Sequence, residues 1–267
     1  MTGPDINDLE NRGVIPRMVS FVFDKIRSAS SEMVFEVKVS MIEIYMEKIQ
    51  DLLDRSKTNL KVAEDSKKGV IIQGVTERYV VEEAEVYSCM TIGNENRSIG
   101  YTNMNAASSR SHSVFIVTVT SENTETLEKQ TGKLYLVDLA GSEKTSKTGA
   151  VGETLKEANT INKSLSTLGQ VINNLTDGKS THVPYRDSKL TRVLQESLGG
   201  NAKTALIITC SPAKDNEEET TSTLKFGQRA KNIKNKPKVN KDESLAELKK
   251  RCTDQEALIE KLQFKIA

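Results

Sequence analysis

Tryptophan is absent from the 267-residue chain, and aromatic residues make up only 4% of it. That scarcity argues against a protein that grips single-stranded nucleic acid by stacking bases on aromatic side chains. A surplus of one charge is also missing: 38 Lys and Arg stand against 37 Asp and Glu, a formal net charge of +1. No global field draws a polyanion, so charge recognition has to be local. Cysteine is limited to Cys89, Cys210 and Cys252. Their wide separation fits neither a disulfide framework nor a zinc pattern and suits a reducing compartment. No apolar run approaches the roughly 20 residues of a membrane span, and no signal-peptide hydrophobic region opens the chain. The expectation is a soluble cytosolic protein of one large domain, or one domain with an appendage, that uses neither membrane nor nucleic acid as a partner.

What is present alternates between two periods. Residues 14–28 place Val14, Met18, Phe21 or Val22, and Ile26 at helical spacing, with Pro16 in the first turn. Phe35 to Met41 alternate as a strand, "MEKIQDLLD" (46–54) reads as a short helix, and "VIIQGVTERYVV" (70–81) is strand-like. Residues 82–99 read as helix and "SVFIVTVT" (113–120) as strand. "KLYLVDLAG" (133–141) and "TALIITCS" (204–211) are consecutive apolar runs, the pattern of strands buried on both faces. Leu155, Ala158, Ile161, Leu165, Leu168, Ile172 and Leu175 predict a helix over 153–176, stopped by Asp177–Gly178. Further helices are expected at about 188–198 and 217–233. The alternation makes the fold class α/β.

"RAKNIKNKPKVNK" (229–241) carries six basic residues and no acidic one. After it, Leu245, Leu248, Cys252, Gln255, Ile259, Leu262 and Ile266 keep a heptad register. That register fits either a short coiled coil, and with it a homodimer, or an amphipathic helix docked on its own domain.

Two polar clusters sit at strand ends. "NMNAASSRSHSVF" (103–115) crowds hydroxyls, an arginine and a histidine before a strand, and Asp138 ends an apolar strand with Gly141 three residues on. A carboxylate in that position holds Mg²⁺ in nucleotide hydrolases, and the glycine lets a backbone N–H approach a phosphate. Alone, "DxxG" is a weak signal, and Asp after a strand is a common turn or cap residue. Taken together with "HVPYRDSKLTRVLQESLGGNAKT" and "TLKFGQRAKNIKN" (223–235), the chain resembles the motor domain of kinesins, the microtubule-dependent ATP-driven motors, over residues 1 to about 240. The details look closest to conventional, plus-end-directed kinesins.

The resemblance implies a kinesin-type P-loop NTPase fold, with a central mixed sheet flanked by helices. It divides the chain into a partial motor domain (1–228), a neck linker (229–241) and the start of a neck helix (242–267). It implies ATP and Mg²⁺ as cofactors, microtubules as partner and the cytoplasmic cytoskeleton as location. Switch I (105–112) would contribute Asn105, Ser108 and Ser109, with Ser109 on the metal, and switch II (138–143) would contribute Asp138 to Mg²⁺ and the Gly141 N–H to the γ-phosphate. Arg110 and Glu143 would pair when the switches close, Glu143 also relaying a proton from the attacking water. His112 is expected to pack or hydrogen-bond beside the switch. Lys144, Lys147, Lys163, Arg186, Lys189 and Arg192 would face acidic tubulin, though exposed lysines and arginines are also ordinary solvated surface.

One family element is absent. No G-x-x-x-x-G-K-[ST] occurs: Gly132–Lys133 precedes Leu, and Gly178–Lys179–Ser180 has Asn173 where glycine is needed. In the family "MTGPDIN" would follow that loop closely, so the expected fold lacks the N-terminal strands and the phosphate-loop strand, with a gap between 133–138 and 204–210. A microtubule-binding module without turnover is the alternative reading. A GTPase lacks its N-K-x-D motif, since Asn162–Lys163 runs into Ser164–Leu165, and a serine hydrolase lacks G-x-S-x-G. The purified chain is therefore expected to hydrolyse ATP no faster than background, with or without microtubules, because phosphoryl transfer depends on the loop that cradles the phosphates. Microtubule-stimulated phosphate release would refute this.

Overall fold

The computed structural model describes residues 1–4, 8, 10–65, 69–99, 110–142, 153–242 and 245–266. Two long strands carry the fold: β1, Met33–Tyr45, and β6, His112–Asn123. They pair antiparallel over twelve consecutive residues, from Met33↔Asn123 to Ile44↔His112. β7, Lys129–Asp138, takes the other edge of β6 and brings Asp138 opposite Ser113. β2, Lys48–Asp51, and β5, Arg78–Val80, share the far edge of β1. A separate hairpin joins β3, Val62–Asp65, to β4, Gly69–Ile72.

Strand side chains alternate between the two faces. Val37, Val39, Met41, Phe115 and Val117 point one way and pack against Val19 and Phe23 of α1, Val14–Arg27, and Val86 and Met90 of α2, Glu83–Ile99. Ile42, Ile44, Val114 and Ile116 point the other way. They meet Leu168, Val171 and Ile172 of α3, Glu153–Thr176, and Leu190 and Val193 of α4, Lys189–Val193. Phe226 and Ala230 of α5, Glu217–Ala230, pack against this second cluster. Each fully buried side chain of this size contributes roughly 1.5–3 kcal/mol. The result is a sheet between two helical layers.

Several expectations change. Among the described residues every strand pair is antiparallel, so the sheet is not mixed. "MEKIQDLLD" is a tight hairpin and β2 rather than a helix. Met46 and Glu47 take φ of 48° and 59°, the left-handed pair that a two-residue turn requires. Ile49 opposite Ile44 is fully buried, which offsets the cost of that turn without glycine. Residues 70–81 split into β4 and β5. The helix expected over 188–198 is a five-residue helix followed by a 3₁₀ turn at Gln195–Ser197.

The two apolar runs read as doubly buried strands differ most. In β7 only Leu136 is buried. Residues 203–212 form no strand, and Leu206 and Ile207 are 46% and 74% exposed. Among the described residues no strand pairs with the outer edge of β7, which carries only an isolated bridge at Gln130↔Lys241. No strand pairing links 133–138 to 204–210 among the described residues. An apolar run becomes a strand only where a neighbour pairs with its backbone, and among the described residues 204–210 has no such neighbour.

The final helix, α6, Leu245–Ile266, holds Cys252, Gln255, Ile259 and Leu262 of the heptad register in solvent, and Leu258 and Phe264 outside that register are also exposed. Docking on its own domain does not describe these side chains.

Candidate functional site

The mouth of β6 is a buried polar node. Ser111 is fully buried, and its Oγ donates to Glu43 Oε1 of β1 at 2.6 Å. Arg97 of α2 donates from Nη2 to the Ser111 carbonyl at 3.1 Å and to its Oγ at 3.2 Å, and places Nε 3.5 Å from Glu43 Oε1. This ion pair is almost wholly out of water, with the Arg97 and Glu43 side chains 12% and 9% exposed. Removing one partner of such a pair typically costs about 3–5 kcal/mol, because the other charge is left buried. The node fixes Ser111, near the C-terminal end of the switch I motif expected over 105–112.

His112 is the next link. It is 3% exposed. The Ala140 N–H donates to its Nδ1 at 2.9 Å, and Nε2 lies 2.7 Å from Ser164 Oγ on α3. A backbone N–H can only donate, so Nδ1 is unprotonated and the neutral ring donates from Nε2 to the serine. Burial, then the neighbouring Arg97 charge, lower its pKa to about 4.

Of the residues singled out from the sequence, Asp138 and Gly141 flank this link. Asp138 is exposed at the end of β7, and Gly141 is half-buried next to buried Ala140. Arg110 is half-buried at the entrance to β6. Asn105, Ser108, Ser109, Glu143, Lys144 and Lys147 lie outside the described residues. A cavity of about 80 Å³ opens beside Asp138, lined also by Asn94, Arg97 and Ser113. It has room for water but not for a nucleotide. Among the described residues no group of three or more His, Cys, Asp or Glu could hold a metal. Mg²⁺ is commonly held by one or two carboxylates together with substrate phosphates, so a single exposed Asp138 fits that ion only in company with a phosphate.

The basic residues divide by exposure. Lys163 of α3 is exposed and Arg186 is 80% exposed. Lys189 is half-buried at the start of α4, where Glu47 accepts from Ser188 Oγ at 2.7 Å and from the Lys189 backbone N–H at 2.6 Å. The left-handed turn at Met46–Glu47 thus aims a carboxylate at this helix start. Arg192 is only 12% exposed; it donates to Glu64 Oε2 at 2.8 Å and to Gln195 Oε1. Its guanidinium lowers the Glu64 pKa. Arg192 therefore ties α4 to β3 rather than standing free on the surface.

The basic stretch after α5 packs first on residues 197–204 and reaches the edge of β7 at residues 240–242. The Asn235 side chain donates to the carbonyls of Ser197 and Ala202 at 3.0 and 2.8 Å and accepts from the Gly199 N–H. Asn201 Oδ1 accepts from the Lys238 N–H, Thr131 donates to the Asn240 carbonyl, and Asp242 donates to the Lys129 carbonyl.

Sequence reasoning missed Glu43, Arg97, Glu47 and Ser164. Only Glu43 left a trace: an acid inside "MIEIY" interrupts an otherwise apolar strand.

His112 makes stability depend on pH. Its folded pKa lies below its ordinary value of 6.5, so between pH 6.5 and 4 the unfolded chain binds a proton that the folded chain refuses. Stability then falls as pH drops through that window, by up to roughly 3 kcal/mol, and this contribution is fully present above it. In urea titrations His112→Asn should lose less stability than wild type between pH 7 and 4.5. Equal losses would contradict this.

The chain matches the kinesin motor domain family over residues 1–233. It is 61% identical over 249 residues to the kinesin heavy chain of Syncephalastrum racemosum, covering 93% of this chain and 27% of that protein. It is 60% identical over 256 residues to kinesin-related protein 3 of Dictyostelium discoideum, covering 96% of this chain and 22% of that protein. The chain thus spans about a quarter of the length of these curated relatives. Its structure is similar to that of a fast kinesin studied for its ATPase mechanism and microtubule interactions, with TM-score 0.85 and 57% identity, covering 92% of this chain and 70% of that one. It is also similar to a KIF14 dimer with AMP-PNP in complex with a microtubule, with TM-score 0.79 and 42% identity over 87% of this chain and 68% of that one. With these matches joining a sheet between two helical layers to the polar turn at its edge, the chain belongs to the kinesin motor domain family.

Proposed function

We propose that this chain is the switch and filament-binding part of an ATP-driven microtubule motor, working on cytoplasmic microtubules. One observation carries the reading: the Asp138–Gly141 turn, the mouth of β6 and α3 meet at one buried point. A turn suited to sensing phosphate is thereby packed against the helix that bears exposed Lys163.

On this reading Asn105, Ser108 and Ser109 contribute hydroxyls and backbone N–H groups to the γ-phosphate side, and Gly141 contributes its N–H. Ser109 and Asp138 hold Mg²⁺, which when bound neutralises developing phosphate charge. Arg110 pairs with Glu143 as the switches close, and Glu143 relays the proton of the attacking water. Residues 1–228 form the motor portion, 229–241 the neck linker and 242–267 the start of a neck helix. The exposed register positions Ile259 and Leu262 suit a homodimer. A second reading, microtubule binding without turnover, is favoured by the absence of G-x-x-x-x-G-K-[ST] from the 267 residues.

Acidic tubulin would be met by Lys144, Lys147, Lys163, Arg186 and Lys189, with Arg192 bracing α4 from behind. Co-sedimentation tests this. Binding should weaken as salt rises, and Lys189→Ala or Arg186→Ala should each weaken it roughly two- to fivefold and flatten the salt dependence. Arg192→Ala should lower thermal stability more than it alters the salt slope, because it removes the bonds to Glu64 and Gln195 that tie α4 to its surroundings. No binding at low salt, or an unchanged slope in both surface variants, would overturn the assignment.

A further inference from the structure

His112 joins three segments through one side chain. It stands at the first residue of β6, immediately after the buried Ser111 node. Its Nδ1 accepts the Ala140 N–H, the backbone group next to Gly141, and its Nε2 reaches Ser164, one residue after the exposed Lys163. Ser164 is itself 3% exposed, so neither bond can be exchanged for water without opening the core.

The two bonds constrain each other. The ring is planar and its nitrogens are fixed relative to each other. With Nδ1 engaged as acceptor, the only ring proton is on Nε2, aimed at α3. A shift of the Asp138–Gly141 turn rotates the ring or breaks a bond. A shift of α3 does the same from the other side. A buried histidine with a purely structural role would also pair both nitrogens. Here both partners belong to segments that the proposed function requires to communicate.

We propose that His112 is a positioning residue that ties the Asp138–Gly141 turn to α3, so that engagement of the filament by α3 is felt at the turn. This rests on the reading of α3 as filament-facing. Ser164 is the far anchor of the tie, and Ser164→Ala cuts that end while leaving the bond between His112 and Ala140 in place.

Hydrogen exchange of the full chain, free and bound to microtubules, tests the tie without nucleotide. In wild type, microtubules should slow exchange of the peptide containing Ala140 by about fivefold or more, the lower end of ordinary coupling between sites. In Ser164→Ala that response should fall below about twofold while microtubule affinity stays within about twofold of wild type. Ser164→Thr keeps the hydroxyl and should restore the response. A merely structural histidine predicts changed stability in the variants but the same response to microtubules. A full response in Ser164→Ala, or wild-type protein that binds microtubules without any change at the turn, overturns the tie alone. Wild-type protein that fails to bind microtubules overturns the filament reading and the tie with it.

Discussion

The pairing of β6 with both of its neighbours is the constraint on which the rest depends. β6 shares twelve residue pairs with β1 and ten with β7, and its first six residues are buried. Because side chains alternate, this one strand sends Phe115 and Val117 into one helical layer and Val114 and Ile116 into the other. Register here cannot slip by one residue without exchanging the two cores. The segments assigned to function attach to the ends of this ladder. The serine-rich motif enters β6, and the Asp138–Gly141 turn leaves β7 beside the same end.

That end is polar at a cost. Glu43, Arg97 and Ser111 give up hydration to meet one another, and His112 gives up its proton. Apolar residues of similar volume could fill this space with less penalty. What they could not do is fix the backbone on either side of the strand entry by directional bonds. The node sets the Ser111 carbonyl, the Ala140 N–H and Ser164 in a single arrangement. The proposed response of this motif to a terminal phosphate would need a rigid reference of that kind, because a displacement has to be measured against something that does not move.

Much of the fold was legible because the apolar periodicity is local. The helix over 153–176 appears with its expected bounds, since its spacing and its Asp177–Gly178 stop require nothing from distant residues. The turn at Met46–Glu47 was not legible: neither residue signals a left-handed pair, and the hairpin depends on Ile49 finding Ile44. The runs at 133–138 and 204–210 read as buried because their composition reports what would cover them, not what does. The site was partly legible. Asp138 and Gly141 stand out only together with the wider family resemblance, and from the sequence His112 is expected merely to pack or hydrogen-bond beside the switch, whereas Ser164, Arg97 and Glu47 matter only through contacts made across the fold. Arg192 shows the converse, a basic residue in a surface-like motif whose charge is spent inside the molecule on Glu64.

The fold is a frame closed around β6 and, among the described residues, open beyond β7. Site-resolved amide exchange on the chain at neutral pH measures this directly. Val114–Val119 should be the slowest amides in the protein, exchanging only by global unfolding, while residues 205–210 exchange with little protection, as expected where no ladder exists. Protection of 205–210 comparable to that of β6 would contradict this arrangement, because it would require a partner strand where none is paired among the described residues.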